Sequence, residues 1–223
     1  MKINGLEIEV LNISEARRLY KEIFKEKVYE VLNFIPNRIL DVGAYIGLST
    51  IWFAEQYPSA EILALEPNKQ AFNALVKNTS YFSNVSSLNK ALGIINGDQK
   101  FYIDNEWMSV SSFYPGSWLG NRESYSTMVN VVTLHALIEQ FGAFDLVKLD
   151  VEGLEMKILK RNIPIFQAVS VLIAEFHETK NRKLENFLKL LRKANFNKVS
   201  VAEDNDSRYR DKEFNLYMIY ATK

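Results

Sequence analysis

The run D-V-E-G-L-E (150–155) puts three carboxylates into six residues. Such a group can bind a cation, hold a cofactor amine or take a proton. It follows an apolar stretch, 145–149, that reads as a strand. Asp150 and Glu152 therefore fall at the carboxyl end of a central strand, the usual ligand edge of an open α/β sheet. Glu155 fits a plainer role, an acid facing the N-terminal dipole of the next helix. Lys148 lies inside the strand, on the same side as Asp150 by the period of two. A buried lysine needs a partner. Glu175, inside the next apolar run, is equally out of place, and the two are expected to pair across neighbouring strands. His177 follows that run and is the candidate general base, whereas His135 opens a short helix and reads as a surface residue. Two scattered histidines without a third ligand argue against zinc. The helix after Gly153 should also turn Glu155 away from Asp150 and Glu152, so no metal is expected.

A second group of residues suits a nucleotide. The stretch R-I-L-D-V-G-A-Y-I-G-L-S-T (38–50) reads as a buried strand, a glycine turn and the start of a helix that Pro58 stops. A strand feeding such a turn presents a nest of backbone N–H groups at a helix N-terminus. Glycine serves there where φ is positive or where a ligand comes too close for a Cβ. A second strand, 61–65, ends at Glu66, about 20 residues past the turn, where nucleotide folds place an acid on a ribose diol. One carboxylate can accept both hydroxyls.

These groups need a scaffold, and the pattern supplies one. Strands at 39–42, 61–65, 85–91, 145–149 and 169–176 alternate with helices at 48–57, from 68, 153–161 and 182–194. That order argues for a parallel sheet with helices on both faces. Two final strands, 198–202 and 214–222, have no helix between them and should form a hairpin, with one strand antiparallel to the rest. Residues 1–37 form an N-terminal helical extension, with an amphipathic helix over 14–32 capped by Ser14, and the main domain runs over 38–223. Asn96-Gly97 signals another hairpin. Residues 104–128 hold no period and mix aromatics with serine and glycine. Trp107, Tyr114 and Trp118 offer stacking faces there, so the segment is the candidate wall or lid over an acceptor.

The bulk numbers exclude some classes. Lysine plus arginine and aspartate plus glutamate both total 27, so there is no net electrostatic footprint for nucleic acid or an anionic membrane. The chain has no cysteine, which removes disulfides, thiolate metal sites and a cysteine nucleophile. No apolar run approaches a membrane span, and the first residues lack a signal-peptide core. The expectation is a cytoplasmic protein, with a homo-oligomer compatible.

The motifs together resemble the FkbM family of S-adenosylmethionine-dependent methyltransferases. The resemblance rests on D-V-G-A-Y-I-G (41–47), L-E-P-N (65–68), N-K-A-L-G (89–93), T-L-H (133–135) and V-K-L-D-V-E-G-L-E (147–155). It implies a Rossmann-like class I methyltransferase fold, a seven-stranded, mostly parallel sheet whose last strand is antiparallel, with helices on both faces. It implies S-adenosylmethionine as cofactor, held by Asp41, Gly43, Ala44, Tyr45, Gly47, Glu66, Asn89, Ala91 and Asp150. It also implies O-methylation of a small-molecule acceptor such as a sugar or polyketide, with Asp150 and Glu152 between cofactor and acceptor and His177 as a possible base. Two positions depart from the family pattern: Tyr45 stands where asparagine is usual, and His135 where aspartate is usual. An NAD-linked oxidoreductase is the alternative enzyme. The missing middle glycine, D-V-E-G after the fourth strand and the closing hairpin count against it. A cofactor-binding module without catalysis is the alternative outside enzymes.

Overall fold

The computed structural model describes residues 1–105, 107–115, 123–203 and 214–223. The chain opens on a small hairpin, β1 (Lys2–Ile3) and β2 (Leu6–Glu7), turned by Asn4 and Gly5 at φ 47° and 88°. This hairpin is absent from the sequence-derived elements, although Asn-Gly carries its signature. The single amphipathic helix expected over 14–32 is shorter. Helix α1 (Ile13–Tyr20) is capped by the Asn12 side chain, not by Ser14, and passes into a π-helical turn over Lys21–Lys25. Lys27 and Asn33 then take positive φ, and Leu32, expected on the inward face, is exposed.

The remaining elements are β3 (Arg38–Val42), α2 (Leu48–Gln56), β4 (Glu61–Leu65), α3 (Lys69–Thr79), β5 (Val85–Leu88), β6 (Ala91–Gly93), β7 (Gly97–Asp104), β8 (Ser124–Thr133), α4 (Leu134–Phe141), β9 (Leu146–Leu149), α5 (Glu155–Arg161), α6 (Ile163–Phe166), β10 (Val171–Glu178), α7 (Leu184–Lys193), β11 (Lys198–Glu203) and β12 (Asn215–Thr222). Seven strands form the main sheet in the order β11-β12-β10-β9-β3-β4-β5. Strand β12 runs antiparallel to both neighbours, and β10, β9, β3, β4 and β5 run parallel. The central strands are buried on both faces, which is why they read as apolar runs, broken by the charged Asp41, Lys148 and Glu175. One face packs on a cluster that includes Phe166, Phe176 and Phe187, the other on one that includes Trp52, Phe53 and residues of the N-terminal segment.

The strand expected over 85–91 is broken in two. Its second part, β6, belongs to a separate three-stranded sheet of order β6-β8-β7. The Asn96-Gly97 turn therefore does not close a hairpin between its flanking strands. Strand β8 lies between them, parallel to β6 and antiparallel to β7. Asn96 Oδ1 accepts from Thr133 N–H at 2.7 Å, so the turn caps the end of β8. The aperiodic stretch is likewise shorter than expected, because β8 begins at Ser124.

Candidate active site

The glycine turn is shaped by backbone proximity. Gly43 has φ 75°, and a Cβ there would sit 2.2 Å from the Asp150 carbonyl oxygen. The ends of β3 and β9 thus touch main chain to main chain. Gly47, at φ 90°, opens α2, and a Cβ there would stand 2.8 Å from Leu75 Cδ1. Gly47 therefore serves the packing of α2 on α3, and Gly43 lines the cleft with Ala44 and Tyr45. Glu66, at the end of β4, reaches the same turn. Its Oε2 accepts from Tyr45 N–H at 2.8 Å and its Oε1 from Asn68 N–H at 2.7 Å. Burial pushes its carboxyl up to about 7, against those two N–H donors. Asn89 donates to the carbonyls of Glu66 and Pro67 at 2.9 and 3.0 Å and so clamps the strand end, while Ala91 faces the cleft. This cleft encloses about 770 Å³ counting its open mouth.

Asp41 does not face the cleft. It is fully buried, with Oδ2 accepting from Ser49 and Thr50 hydroxyls at 2.7 Å each and Oδ1 lying 3.3 Å from Lys148 Nζ. The expected Lys148–Glu175 pair is replaced by this one. Strand register explains it: Asp41 of β3 is the direct neighbour of Lys148, whereas Glu175 lies two positions beyond Ile173, the Lys148 partner on β10. Lys148 also donates to the carbonyls of Val42 and Gly43 at 3.1 and 2.8 Å, and Asp150 Oδ2 lies 3.6 Å away. Burial alone would lower the Lys148 pKa. The charge of Asp41, then Tyr29, Asp150 and Glu175, turn the net shift upward. Lys148 therefore braces the turn from below as a cation.

His177 is inside β10 rather than after it, and it is fully buried. Its Nε2 lies 3.0 Å from Glu152 Oε2 and 4.0 Å from Glu175 Oε1, and its Nδ1 lies 3.7 Å from Glu155 Oε1. Burial disfavours the imidazolium, but Glu152 and then Glu155 outweigh it and raise the pKa well above the usual value. Glu155 is thus no solvated helix charge. It is fully buried and accepts from Gly153 N–H at 2.8 Å. Burial pushes Glu152 up to about 7 in spite of His177, and pushes Asp150 and Glu175 up as well. Glu152 adopts φ 50°, a left-handed backbone that is strained for a residue with a Cβ.

A second cavity, about 980 Å³ with its mouth, adjoins the cleft, and Asp150 and Glu152 line both. Its other walls come from residues without a sequence signal for ligand binding, including Arg18, Tyr29, Val110 and Met218. The expected acceptor residues lie elsewhere. Trp107 sits beneath the Arg18 guanidinium, 5.9 Å from its ring centroid, and Tyr114 packs under Arg182 with its hydroxyl donating to Gly153 O at 3.4 Å. Trp118 lies outside the described residues. From the same segment Met108, Ser109, Ser111 and Phe113 do line the cleft. Apolar and small residues in a loop give no functional signal in one sequence, so only their place in the fold reveals them. His135 is exposed, 3.5 Å from Glu139.

Tyr45 explains its own departure from the family pattern. At φ 50° its phenol leaves the turn and donates to Glu15 Oε2 at 2.5 Å. Glu15, fully buried in α1, takes Ser109 N–H on its other oxygen at 3.0 Å. Leu19, Ile23 and Tyr29 of the same N-terminal segment line the cleft.

The likeness to known proteins agrees with this geometry. The model of the methyltransferase FkbM domain matches residues 41–198. "Methyltransferase 1" of Beauveria bassiana is 29% identical over 168 residues, 66% of this chain and 67% of that protein. "Methyltransferase sdnD" of Sordaria araneosa is 42% identical over 65 residues, 29% of this chain and a quarter (25%) of that one. Among solved structures, precorrin-6y C5,15-methyltransferase from Geobacter metallireducens has a TM-score of 0.51 at 15% identity, covering 99% of this chain and 95% of that one. The N-terminal domain of EvdMO1, crystallised in the presence of S-adenosylhomocysteine and D-fucose, has a TM-score of 0.52 at 14% identity, covering 100% and 89%. Those two structures show the shared fold. The cofactor is S-adenosylmethionine, and the residues fit it: the cleft is lined by the Gly43–Tyr45 turn and by the buried Glu66 carboxylate, each of whose oxygens keeps a second lone pair beyond the N–H it accepts. The chain belongs to the FkbM family of methyltransferases.

Proposed function

We propose that this methyltransferase acts on a hydroxyl of a small metabolite, such as a sugar or polyketide, and that Asp150 takes the proton of that hydroxyl. One observation carries the reading. Asp150 lines both the cofactor cleft and the second cavity, and its Oδ1 has no hydrogen-bond partner among the described residues. His177 is a poorer base, because carboxylates face both of its ring nitrogens and it has no exposed surface. Its place is behind Glu152, as a positioning residue.

S-adenosylmethionine supplies a methyl group already activated on a sulfonium, so the protein needs only to align the acceptor oxygen and remove its proton. Glu66 would accept the ribose hydroxyls, and the Gly43–Ala44–Tyr45 backbone would line the cofactor's side of the cleft. Lys148 holds the β3 and β9 ends together and keeps the Asp150 charge from spreading its repulsion to Asp41. The Asp150 carboxyl, raised by burial first and lowered by Lys148, would accept the proton of the acceptor hydroxyl. The second cavity is rich in carboxylates, which accept hydrogen bonds from the hydroxyls of a polyol. A metabolite of that kind suits it better than an anionic one.

The test is labelled methyl transfer to a panel of sugars and polyketide alcohols, with the product bond identified. A base-stable methyl ether is expected, and Asp150→Asn should lower kcat by about 10²–10⁴-fold. Label on nitrogen or carbon, or full turnover in Asp150→Asn, overturns the reading.

A further inference from the structure

The fold gathers three ligand-type atoms that the sequence keeps apart. One oxygen each of Glu152 and Glu175 and a ring nitrogen of His177 all lie within 4.8 Å of one another. Glu152 Oε2 stands 3.0 Å from His177 Nε2, yet this oxygen, on a residue only 7% exposed, makes no hydrogen bond of acceptable geometry. An oxygen 3.0 Å from an imidazole nitrogen is spaced as two ligands of one ion are. Bonds of about 2.1 Å at right angles put ligand atoms about 3 Å apart. Behind the ring, Glu155 faces Nδ1 at 3.7 Å. A carboxylate there orients a metal-binding histidine and fixes the tautomer that turns Nε2 to the ion.

The charges leave room for a cation. Among the described residues, Glu152, Glu155 and Glu175 share a single imidazole, while Asp150 has Lys148 at 3.6 Å. Lys148 is taken up by Asp41 and the Val42 and Gly43 carbonyls, and Arg18 is held by Glu22 at 2.6 Å. Buried carboxylates without a counter-charge are costly. A route in exists, since the side chains of Glu175 and Asp150 are 22% and 20% exposed, on the wall of the second cavity.

We propose that Glu152, Glu175 and His177 form a site for a divalent cation of the Mn²⁺ type, on the floor of the acceptor cavity beside Asp150. One imidazole with two carboxylates suits a first-row ion better than the all-oxygen sites of Ca²⁺ or Mg²⁺. Three protein ligands leave positions for water or an acceptor oxygen, whose acidity the ion would raise. The role in catalysis rests on the hydroxyl-acceptor reading above, but the site itself does not, and its test needs neither acceptor nor cofactor.

The experiment is Mn²⁺ binding to chelator-treated protein, by calorimetry and by the electron paramagnetic resonance signal of free Mn²⁺. One ion per chain is expected. Glu175→Gln should weaken binding at least about tenfold, and Glu155→Gln, which spares all three ligands, by about 10–100-fold. His135→Ala should change nothing. Melting curves without metal check that each variant folds, and Glu152→Gln replaces Glu175→Gln if that one does not. Absence of binding at millimolar Mn²⁺, or equal binding in the wild type and the ligand variant, overturns the site. Asp150→Asn separates the two proposals, because loss of transfer with Mn²⁺ binding retained supports both. Stoichiometric Mn²⁺ without transfer to any hydroxyl sinks the function and leaves the site standing.

Discussion

If Glu66 meets the ribose diol as proposed, cofactor affinity depends on pH with a sign that its surroundings set. The residue is 6% exposed and its carboxyl is pushed up to about 7, chiefly by burial. A ribose diol donates hydrogen bonds to the ionised form, so a bound cofactor lowers that pKa. Affinity is then complete above about pH 7 and is lost as pH falls through that value. If the bound-state pKa lies well below 6, affinity for S-adenosylhomocysteine should fall about tenfold from pH 8 to pH 6, or about 1.4 kcal/mol. Calorimetry in two buffers of different ionisation enthalpy should show proton release on binding near pH 7. Glu66→Gln should bind more weakly at pH 8 and lose both the slope and the proton release. Stability of the free protein runs the other way. A carboxyl raised from 4.5 in the unfolded chain to about 7 costs stability as pH rises between those values, up to about 3 kcal/mol. Free Glu66→Gln loses one of the two accepted N–H bonds at every pH, so its melting temperature should rise relative to wild type between pH 5 and pH 8. A flat wild-type affinity profile, or the same slope in Glu66→Gln, refutes the reasoning.

Other variants test the scaffold. Lys148→Met leaves Asp41 charged and buried and should cost about 3–5 kcal/mol in denaturant unfolding, whereas Lys148→Met/Asp41→Asn should recover part of it; equal losses would mean that the pair is not coupled. Gly43→Ala should lose cofactor binding and stability together, because the new Cβ would stand 2.2 Å from Asp150 O at φ 75°; a variant that melts and binds as wild type counts against the close approach. Tyr45→Phe removes the donor to Glu15 and should cost about 1.5–3 kcal/mol, the range for hydrogen bonds to charged groups, with loss of amide-exchange protection in α1; unchanged protection would show that the phenol does not fasten the helix.

The main sheet was legible because burial on both faces leaves a plain record. The runs ending at Val42, Leu65 and Leu149 are largely apolar, with Asp41 and Lys148 the charged exceptions, and each is followed by residues of the candidate site. The closing hairpin was legible from the missing helix between its strands. Pairing partners were not. Period two places Lys148 on the side of Asp150, but only the order β10-β9-β3 and its register decide that Asp41, and not Glu175, is the neighbour. Glu155 does stand in the first turn of α5 as expected, but its burial against His177 was hidden for the same reason. Their roles depend on the end of β10 passing beside the first turn of α5, which no local pattern encodes. The second sheet failed differently: Asn96-Gly97 does turn the chain, but a strand from thirty residues later enters between the two arms.

The N-terminal segment was read as packing, and Tyr45 as a departure; the structure makes them one feature. The family match begins at residue 41, yet Leu19, Ile23 and Tyr29 form part of the cofactor cleft. A side chain that ended at the turn, as asparagine would, could not span the gap to α1. The phenol can, and it meets a carboxylate with no exposed surface of its own. Glu15 then needs its second acceptor oxygen satisfied, and Ser109 supplies that N–H from the segment facing the acceptor cavity. One buried acid thereby ties the N-terminal helix, the glycine turn and the acceptor-side segment together. The left-handed backbone at Tyr45 is a local cost of the kind found at functional sites, and it is held by Glu66 on the amide and Glu15 on the hydroxyl. Tyr45 and Glu15 therefore act as one unit, each meeting the polar group that the other would leave buried.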